Sequence, residues 1–437
     1  MNYVVIVLIG ALAAILANQG IAVFNDGFRA IVPQYLEGKI NRKELALMSF
    51  AISFGLVIGF GIPTSIAATI ILIHCILLST DIIGSWCTDD KKGMILAGVI
   101  GGAYGIGILV GLESVVKLFE HLPYNFLNDL GSVSTYVMVA FAIFPAIAVA
   151  YQHGLKKGCI TGVITVMAYF LIKRFGIITV GENAITLNSE GVSMLIGTIT
   201  MLIFAAQVKT QGGNANENLT LVFSEKLARI RKNWFLLAIM GGLVAAGTSL
   251  SIVAGDPISL ALLADGAYNE AAMAALTRAI GFVPLVFTTA IVTGVYGTCG
   301  CTFVFVAGLL LHGNPIVAFV VGVVIIIAEL LLINVFAKGM DRFPGVKEMG
   351  EHIRTAMNKV LETALTVGAV VAAESMAGTA AGLKGVGALF VIGCLLLNRR
   401  AKKPIVELAV GPVACILFGI LLNILLIVGI CVMPVVE

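Results

Sequence analysis

Long apolar segments alternate with short polar stretches along almost the whole chain. Many approach about 20 residues, the length that an α-helix needs to cross the hydrocarbon core of a membrane. The pattern therefore predicts an all-α polytopic membrane protein. Its expected apolar segments are 3–24, 45–60, 63–80, 94–111, 133–151, 158–172 and 191–208, followed by 233–254, 283–297, 301–312, 315–337, 360–376, 383–397 and 405–433.

A polar stretch divides these segments into two sets of seven. It is rich in glycine, asparagine and glutamine and then becomes basic, with Lys226, Arg229, Arg231 and Lys232. We therefore expect a first membrane repeat at 1–208, a basic cytoplasmic linker at 209–232 and a second membrane repeat at 233–437.

Short sequence matches recur in the same order in the two sets. They pair Asn18 with Asp256, Asp26-Gly27 with Asp265-Gly266, and His74 with His312. The shared order indicates an internal duplication. Because each copy has an odd number of segments, the second copy is expected to lie inverted relative to the first.

Lysine and arginine are distributed unevenly between the two sides that this arrangement creates. When the linker is placed inside, most basic loop residues also fall inside, including the cluster at 399–403. The positive-inside rule then predicts that both termini lie outside, with 209–232 and 398–403 inside.

Composition agrees with a membrane protein and excludes several functional classes. Of the 437 residues, 59% are hydrophobic and 12% are charged, and the mean hydropathy is +1.06. A net charge of +3 does not favour a nucleic-acid partner. Eight scattered cysteines without a Cys-x-x-Cys pair do not predict a disulfide or a metal site. Without a Gly-x-x-x-x-Gly-Lys loop, we expect no direct use of ATP.

Two glycine-rich stretches interrupt apolar segments in the two halves, at Gly55–Ser65 and at Gly294–Thr302. Interrupted segments at corresponding places in two halves are a sequence indicator of a transporter's binding site. The segments on either side of each interruption are short for full spans. We expect broken helices or re-entrant hairpins whose tips, at Gly59–Ser65 and Gly297–Thr302, meet near the middle of the membrane.

Two stretches carry a resemblance to a known family. They are Phe24-Asn-Asp-Gly-Phe-Arg-Ala-Ile-Val-Pro-Gln-Tyr-Leu-Glu-Gly38, and Ser53-Phe-Gly-Leu-Val-Ile-Gly-Phe-Gly-Ile-Pro63 continuing to Thr80-Asp-Ile-Ile-Gly84. These stretches resemble the YhfT family of bacterial inner-membrane proteins, which are named as transporters. The resemblance implies a multi-pass protein of the bacterial inner membrane, but it supplies no substrate and no site residues.

Two further interruptions are predicted at matching places of the two halves, at Asn18-Gln19-Gly20 and at Gly255-Asp256-Pro257, where the alternative is a span that ends early. Polar residues at the interruptions are the candidates for binding a solute. Unwound backbone leaves carbonyl groups for an ion or hydroxyl, and a helix that begins at a break directs free N–H groups at an anion. The alternative is that these residues only cap helices or form turns. The candidate substrate-binding residues are Asn18, Gln19, Asn25, Asp26, Gly59, Gly61, Thr64, Ser65, Asp256, Asp265, Thr298, Gly300 and Thr302.

Three ionisable residues within apolar segments are candidates for coupling to an ion or proton. They are His74, His312 and Glu329. Ionisable groups are expensive inside a membrane and are functional candidates for that reason. The alternative is a buried residue that only makes hydrogen bonds. No metal site and no catalytic set of side chains is predicted.

These observations predict a secondary active transporter for a small polar, anionic solute. It would work by alternating access, in which an elevator-like movement of one part against a scaffold is one form. We expect coupling to Na⁺ or H⁺ rather than a cofactor, lipid and solute as partners, and a homo-oligomer with a dimer favoured. The alternatives are the sugar-permease subunit of a phosphotransferase-type system and, ranked lower, a channel; an enzyme ranks last.

Overall fold

The fold is that of a helical membrane protein. The computed structural model describes residues 1–180, 183–187, 189–208, 225–340, 344–402, 404–405 and 407–433. In these residues, eight helices are long and apolar enough to cross a membrane: Arg42–Ala68, Lys91–Glu120, Leu155–Phe175, Ser189–Ala206, Tyr268–Thr293, Pro315–Ala337, Glu348–Thr379 and Glu407–Ile427. The predicted class is thereby confirmed. Most of the predicted linker, 209–224, lies outside the described residues, as does the C-terminal residue.

The first half begins with helix α1 (Asn2–Asn18), strand β1 (Ala22–Val23) and the short helices α2 (Asp26–Arg29) and α3 (Val32–Leu36). Helix α4 (Arg42–Leu56) continues through a π-helical turn (Val57–Gly61) into α5 (Ile62–Ala68), and strand β2 (Ile71–Leu72) leads into α6 (His74–Trp86). The half then continues with α7 (Lys91–Glu120), α8 (Leu127–Phe141), α9 (Phe144–His153), α10 (Leu155–Phe175), the antiparallel strands β3 (Ile177–Val180) and β4 (Asn183–Thr186), and α11 (Ser189–Ala206).

The described end of the predicted linker, 225–232, is helical, and we call it α12; the second half follows it. Next come α13 (Trp234–Ser249), strand β5 (Val253–Ala254), α14 (Pro257–Ala264), α15 (Tyr268–Thr293), strand β6 (Tyr296–Gly297) and α16 (Phe303–Leu310). The last four helices are α17 (Pro315–Met340), α18 (Pro344–Ala381), α19 (Val386–Arg400) and α20 (Glu407–Ile427).

Four short strands join the two halves at two places inside the helical bundle. Strand β1 pairs in parallel with β6, which places Ala22 opposite Tyr296. We call this pair the first crossing. Strand β5 pairs in parallel with β2, which places Ile71 opposite Val253, and we call this pair the second crossing. Each crossing thus joins the strand after the first helix of one half to the strand of a later break in the other half.

Each strand lies at a break in a helix, and a left-handed residue precedes it. Gly20 has a φ of +58° before β1, and Ser251 has a φ of +54° before β5. Before β2 and β6 the corresponding residues are Thr69, with a φ of +56°, and Gly294, with a φ of +71°. The breaks expose backbone N–H and C=O groups that need partners in a buried setting. Pairing strands from opposite halves supplies those partners.

Glycine contacts bring α1 against α7 and α13 against α17. A Cβ atom on Gly101 would lie 2.3 Å from the carbonyl oxygen of Gly10. In the other pair, a Cβ atom on Gly322 would lie 2.6 Å from the carbonyl oxygen of Gly241. Small residues allow membrane helices to approach closely enough for backbone contact. The two halves therefore use the same device at their first helix.

The predicted interruption at Gly55–Ser65 is wrong. The helix runs without a break from Arg42 to Ala68, and it widens into the π-helical turn just before Pro63. A wider turn relieves the clash between a proline ring and the carbonyl group of the preceding turn. The interruption comes later, at Thr69, so 45–60 and 63–80 do not form a re-entrant hairpin of two short helices.

Candidate functional site

A cavity of about 160 Å³ is lined by residues next to both crossings. It is bordered by the starts of four helices that follow breaks, with Asn25 from the start of α2, His74 from α6, Asp256 from α14 and Thr302 from α16. The predicted site residues Asp26, Thr298 and Gly300 line the same cavity. The chain therefore brings seven of the predicted residues together, from both halves of the sequence.

Buried polar contacts hold the backbone of the first break next to the cavity. The Asn25 side-chain oxygen accepts hydrogen bonds from the N–H groups of Gly27 (2.9 Å) and Phe28 (3.2 Å). The Asp81 carboxylate accepts from the N–H groups of Phe24 (3.0 Å) and Asn25 (2.8 Å). Asp81 is 1% exposed, so these bonds satisfy carboxyl oxygens that water does not reach.

Arg29 connects the first break to the second half of the chain. Its Nη2 lies 2.9 Å from Asp26 Oδ1, and its Nη1 donates a hydrogen bond of 2.6 Å to Thr289 Oγ1 on α15. A Cβ atom on Gly297 would lie 3.0 Å from Arg29 Nη2, so the guanidinium group also packs against β6. Arg29 is only 2% exposed, and its position is fixed by partners on both sides.

The second half places a carboxylate and an arginine at the opposite wall. Asp256 caps α14, accepting from the Ser259 N–H at 2.9 Å and from the Ser259 hydroxyl at 2.7 Å. Arg278 on α15 approaches Asp256 Oδ2 at 3.5 Å. Its guanidinium group also lies over the ring of Phe282, 4.9 Å from the ring centroid. Arg278 is therefore held in place mainly by an aromatic face and weakly by its ion pair.

The loop between β6 and α16 carries an unusual threonine. Thr302 has a φ of +74°, a conformation that is a strained outlier for a β-branched residue. It is 6% exposed, and its hydroxyl has no hydrogen-bond partner within the described residues. Thr302 occupies the N-cap position of α16 without making a side-chain cap. The first N–H groups of this eight-residue helix are consequently left without the usual hydroxyl acceptor.

Aromatic rings form much of the remaining wall. The His74 ring packs edge-on between Phe24, at 4.9 Å between centroids, and Phe60, at 5.2 Å. Its Nδ1 is buried and has no partner among the described side chains and backbone groups. Phe282 adds a third phenyl ring to the lining. The cavity therefore combines an apolar body with a few polar groups at its edge, as small-molecule sites usually do.

The unpartnered groups at the cavity are chiefly donors. Arg29 Nε and Thr302 Oγ1 are both buried without a partner within the described chain, and buried polar groups normally have one. The carboxylates in the lining are engaged by donors: Asp26 and Asp256 by arginines, and Glu190 by the hydroxyl groups of Ser189 and Tyr169. This balance of donors and acceptors suits an anionic group.

Asn18 and Gln19 do not line this cavity. The Asn18 amide donates to the carbonyl oxygens of Gly84 (3.0 Å) and Thr88 (2.8 Å), which ties the end of α1 to the end of α6. Gln19 donates to Asn18 Oδ1 at 2.8 Å. Both border a separate small cavity of about 180 Å³ near Arg42. The structural counterpart of Asp256 is Asn25, because each caps the helix that directly follows a strand.

The glycines and hydroxyls of the first predicted break also lie away from the cavity. A Cβ atom on Gly59 would meet the Leu408 carbonyl oxygen at 2.9 Å, and one on Gly61 would meet Cys75 Sγ at 3.0 Å. Thr64 is buried in α5. The Ser65 hydroxyl donates to the Gly61 carbonyl oxygen and accepts from the Leu72 N–H at 2.8 Å. These residues pack the helix and fix strand β2.

The two sequence matches at Asp265 and His312 pair places that are not equivalent. Asp265 is an exposed C-cap of α14, whereas Asp26 begins α2. His312 follows α16, stacks on Tyr268 at 3.8 Å between centroids and contacts Ser251 Oγ at 3.1 Å. His74 instead begins α6 and faces the cavity. In so apolar a sequence, these two short matches pair positions that are not equivalent in the structure.

Glu329 lies behind the cavity wall, on α17. Its Oε2 accepts from the Tyr296 hydroxyl at 2.6 Å and from the Cys301 N–H at 2.7 Å. Its Oε1 is buried without a partner in the described chain. The residue therefore fixes the loop between β6 and α16, and through that loop it supports the position of Thr302.

Sequence reasoning did not choose the arginines of the cavity as site residues. The positive-inside count treats Arg29, Arg278 and Arg354 as loop charges, whereas all three line the cavity. Arg278 is inside a helix that is apolar enough to span a membrane, and Arg29 follows Asp26 at the spacing of a helical ion pair. The sequence signal that could have identified Arg278 is an arginine within an apolar segment.

The broken helices, the crossings and the cavity that both halves line define a polytopic helical membrane protein with a candidate site inside its helical bundle. A family model described as "YhfT: Protein of unknown function" matches residues 2–431. The chain is 35% identical over 438 residues to "Uncharacterized protein YhfT" of Escherichia coli (strain K12), covering 97% of this chain and 96% of that protein. The chain therefore belongs to the YhfT family, which confirms the resemblance. No solved structure matches the chain.

Proposed function

We propose that this protein is a secondary active transporter for a small polar, anionic solute. The observation that carries the proposal is the cavity where broken segments of both halves meet, with buried unpartnered donors from Arg29 and Thr302 at its edge. Discontinuous helices whose starts face a shared site are a recurring way to bind a solute within a membrane. We propose no catalytic role.

We further propose that the halves are inverted repeats. Strand β1 of the first half corresponds to β5 of the second, and β2 corresponds to β6. Exchanging the halves therefore converts the first crossing, β1 with β6, into the second crossing, β5 with β2. The spacing from Gly20 to Ser251 also equals that from Asn25 to Asp256, which supports a common origin for these breaks. In this proposal the linker is inside and both termini are outside.

Alternating access then follows from the same architecture. Helices on one side of the crossings would move against those on the other, in an elevator-like movement, so that the cavity opens to each face in turn. The proposed location is the bacterial inner membrane, in agreement with a bacterial relative. Coupling to Na⁺ or H⁺ and a dimeric assembly belong to the same proposal.

Uptake into proteoliposomes tests the function directly. Purified protein is reconstituted, candidate organic anions are supplied outside, and the internal solute is identified under an imposed Na⁺ or pH gradient. We expect gradient-dependent accumulation of unmodified solute. Accumulation of phosphorylated solute only with phosphoryl-carrier proteins would favour the permease alternative, and gradient-independent conductance would favour a channel.

A matched pair of aspartate variants links uptake to the cavity. Asp26→Asn removes the charge that pairs with Arg29 at 2.9 Å, so we expect uptake to fall by about tenfold or more. Asp265→Asn changes an exposed helix end and should leave uptake unchanged. Equal effects of the two variants, with both proteins folded, would contradict the assignment of the cavity as the transport site.

A further inference from the structure

We propose that the cavity binds a small monocarboxylate with an apolar body, and that Arg278 and the start of α16 hold its carboxylate. The inference deepens the proposed function, because it names the class of solute for the same cavity. It can be tested by binding alone, without any transport measurement.

Three arginines line the cavity, Arg29, Arg278 and Arg354. Arg278 and Arg354 are both only weakly engaged, and Arg278 is the more buried of the two. Its contact with Asp256 Oδ2 is long, at 3.5 Å, and that oxygen already accepts the closer Ser259 hydroxyl at 2.7 Å. The face of the Phe282 ring orients the guanidinium group without using its N–H donors. A guanidinium group can offer two parallel N–H donors to one carboxylate. Arg278 therefore meets the chemical requirement for binding the anionic end of a solute.

Arg29 has a different part in the same site. Two of its nitrogens are occupied by Asp26 and by Thr289, and the group packs against Gly297. It acts as a positioning residue that holds the first crossing beside the cavity. Its remaining Nε–H group contributes one donor at the edge of the cavity.

The start of α16 supplies the opposite side of the carboxylate site. Thr302 lines the cavity with a buried, unpartnered hydroxyl group, and its side chain does not cap the first N–H groups of the helix. These N–H groups and the positive end of the helix dipole favour an anion. The hydroxyl group is an independent indication, because a buried hydroxyl without a partner is costly unless a ligand completes it.

The apolar walls of the cavity indicate the chemistry of the part of the solute beyond its carboxylate. Phe24, Phe60 and Phe282 face the cavity, so hydroxyl groups or a second charge placed against them would lose their hydration without gaining partners. A volume of about 160 Å³ is close to that of a cavity known to hold one benzene molecule. The preferred solute is therefore a single carboxylate on a compact hydrocarbon body, rather than a sugar phosphate or a dicarboxylate.

Binding to purified full-length protein in detergent tests the inference, with benzoate as the probe. Benzamide serves as its neutral isostere, benzylamine as the cation and succinate as the dicarboxylate, each measured by calorimetry. We expect benzoate to bind about tenfold or more tightly than each of the other three, the difference expected for a charge-assisted hydrogen-bond pair. Benzamide or succinate binding as tightly as benzoate would overturn the proposal.

Variants assign the binding to the named residues. Arg278→Gln should weaken benzoate about tenfold or more, Arg278→Lys should weaken it less, and Arg400→Gln, at an exposed helix end, should have no effect. If Arg278→Gln does not fold, Thr302→Gly provides the second variant, because glycine tolerates a φ of +74° while the hydroxyl is lost. Unchanged benzoate affinity in both Thr302→Gly and a folded Arg278 variant would overturn the proposal.

The two proposals fail in different ways. Arg278-dependent binding of benzoate without uptake into proteoliposomes would overturn the transporter and leave the binding site. Gradient-driven uptake of a solute whose affinity does not depend on Arg278 or Thr302 would overturn the binding site and leave the transporter.

Discussion

The two crossings perform the same structural task with different chemistry. At the first crossing, buried carboxylates hold the backbone: Asp81 accepts from the N–H groups before α2, and Glu329 accepts from the Cys301 N–H. At the second crossing, backbone pairs and a neutral hydroxyl hold the strands, with Ile71 N–H donating to the Ile252 carbonyl oxygen at 3.0 Å and Leu72 N–H donating to Ser65 Oγ. Its buried carboxylate, Asp256, comes after β5 and caps α14 instead. Both crossings border the cavity, because α2 and α16 start beside the first and α6 and α14 start beside the second.

This difference concerns how each crossing holds the backbone of its strands. A buried carboxylate is costly unless several donors compensate it, so neutral partners are the simpler way to join two strands. The first crossing uses carboxylates for this purpose, next to the strained Thr302. We interpret both crossings as supports of the site, and the first as the one whose backbone depends on carboxylates.

The largest expected difference comes from deleting one acceptor at each crossing. Asp81→Ala leaves the Phe24 and Asn25 N–H groups without their acceptor, so we expect a loss of about 3–5 kcal/mol in the free energy of unfolding. Ser65→Ala, which removes one neutral acceptor, should cost about 1–2 kcal/mol. Reversible unfolding in mixed micelles measures both. Similar losses for the two variants would remove the distinction between the crossings.

A smaller difference is expected from adding a methyl group at each crossing. Gly300 has a φ of +55°, and its Cβ atom would lie 2.2 Å from Glu329 Oε2. Gly300→Ala should therefore cost about 2–4 kcal/mol in stability and displace the carboxylate. Gly255→Ala, whose Cβ atom would meet the Phe305 ring at 2.7 Å, should cost about 1–3 kcal/mol. Gly300→Ala should also lower solute affinity, because Gly300 itself lines the cavity.

The smallest expected effect is a gain in stability. Thr302 and Thr69 are both left-handed threonines, and glycine in either place relieves backbone strain while adding freedom to the unfolded chain. We expect each glycine variant to raise the free energy of unfolding by about 0.5–1 kcal/mol. Only Thr302→Gly should reduce solute affinity, because Thr69 is exposed and remote from the cavity lining. Destabilisation by Thr302→Gly would show that its hydroxyl serves folding rather than a solute.

Sequence patterns were sufficient for the class of protein and for three of the four breaks. Composition and segment length determine a helical membrane protein, and glycine or proline marks the breaks at Asn18–Gly20, Gly255–Pro257 and Gly294–Thr302. Gly20 and Gly294 end their helices in left-handed conformations, whereas Pro257 begins the helix that follows its break. The fourth break, at Thr69, carries no such residue, because the second crossing provides its stabilisation from the other half of the chain.

The site was only partly predictable, for related reasons. Asn25, Asp26, Asp256 and Thr302 lie at helix starts, which the sequence marks. Arg278 reaches the cavity because α15 passes beside α14, and no local pattern reports that packing. The glycines at 55–61 resemble a break, but a π-helical turn accommodates them within one helix. Packing between segments that are distant in the sequence, rather than local helix propensity, determines where these residues lie.

The crossed strands also have a consequence for synthesis in the cell. Strand β1 emerges from the ribosome long before its partner β6, and β2 emerges long before β5. At about 5–20 residues per second, the first half waits on the order of ten seconds or more with unpaired backbone at both breaks. The first half can therefore complete its folding only after the second half has been translated. Until then, it remains an assembly intermediate with unpaired strands.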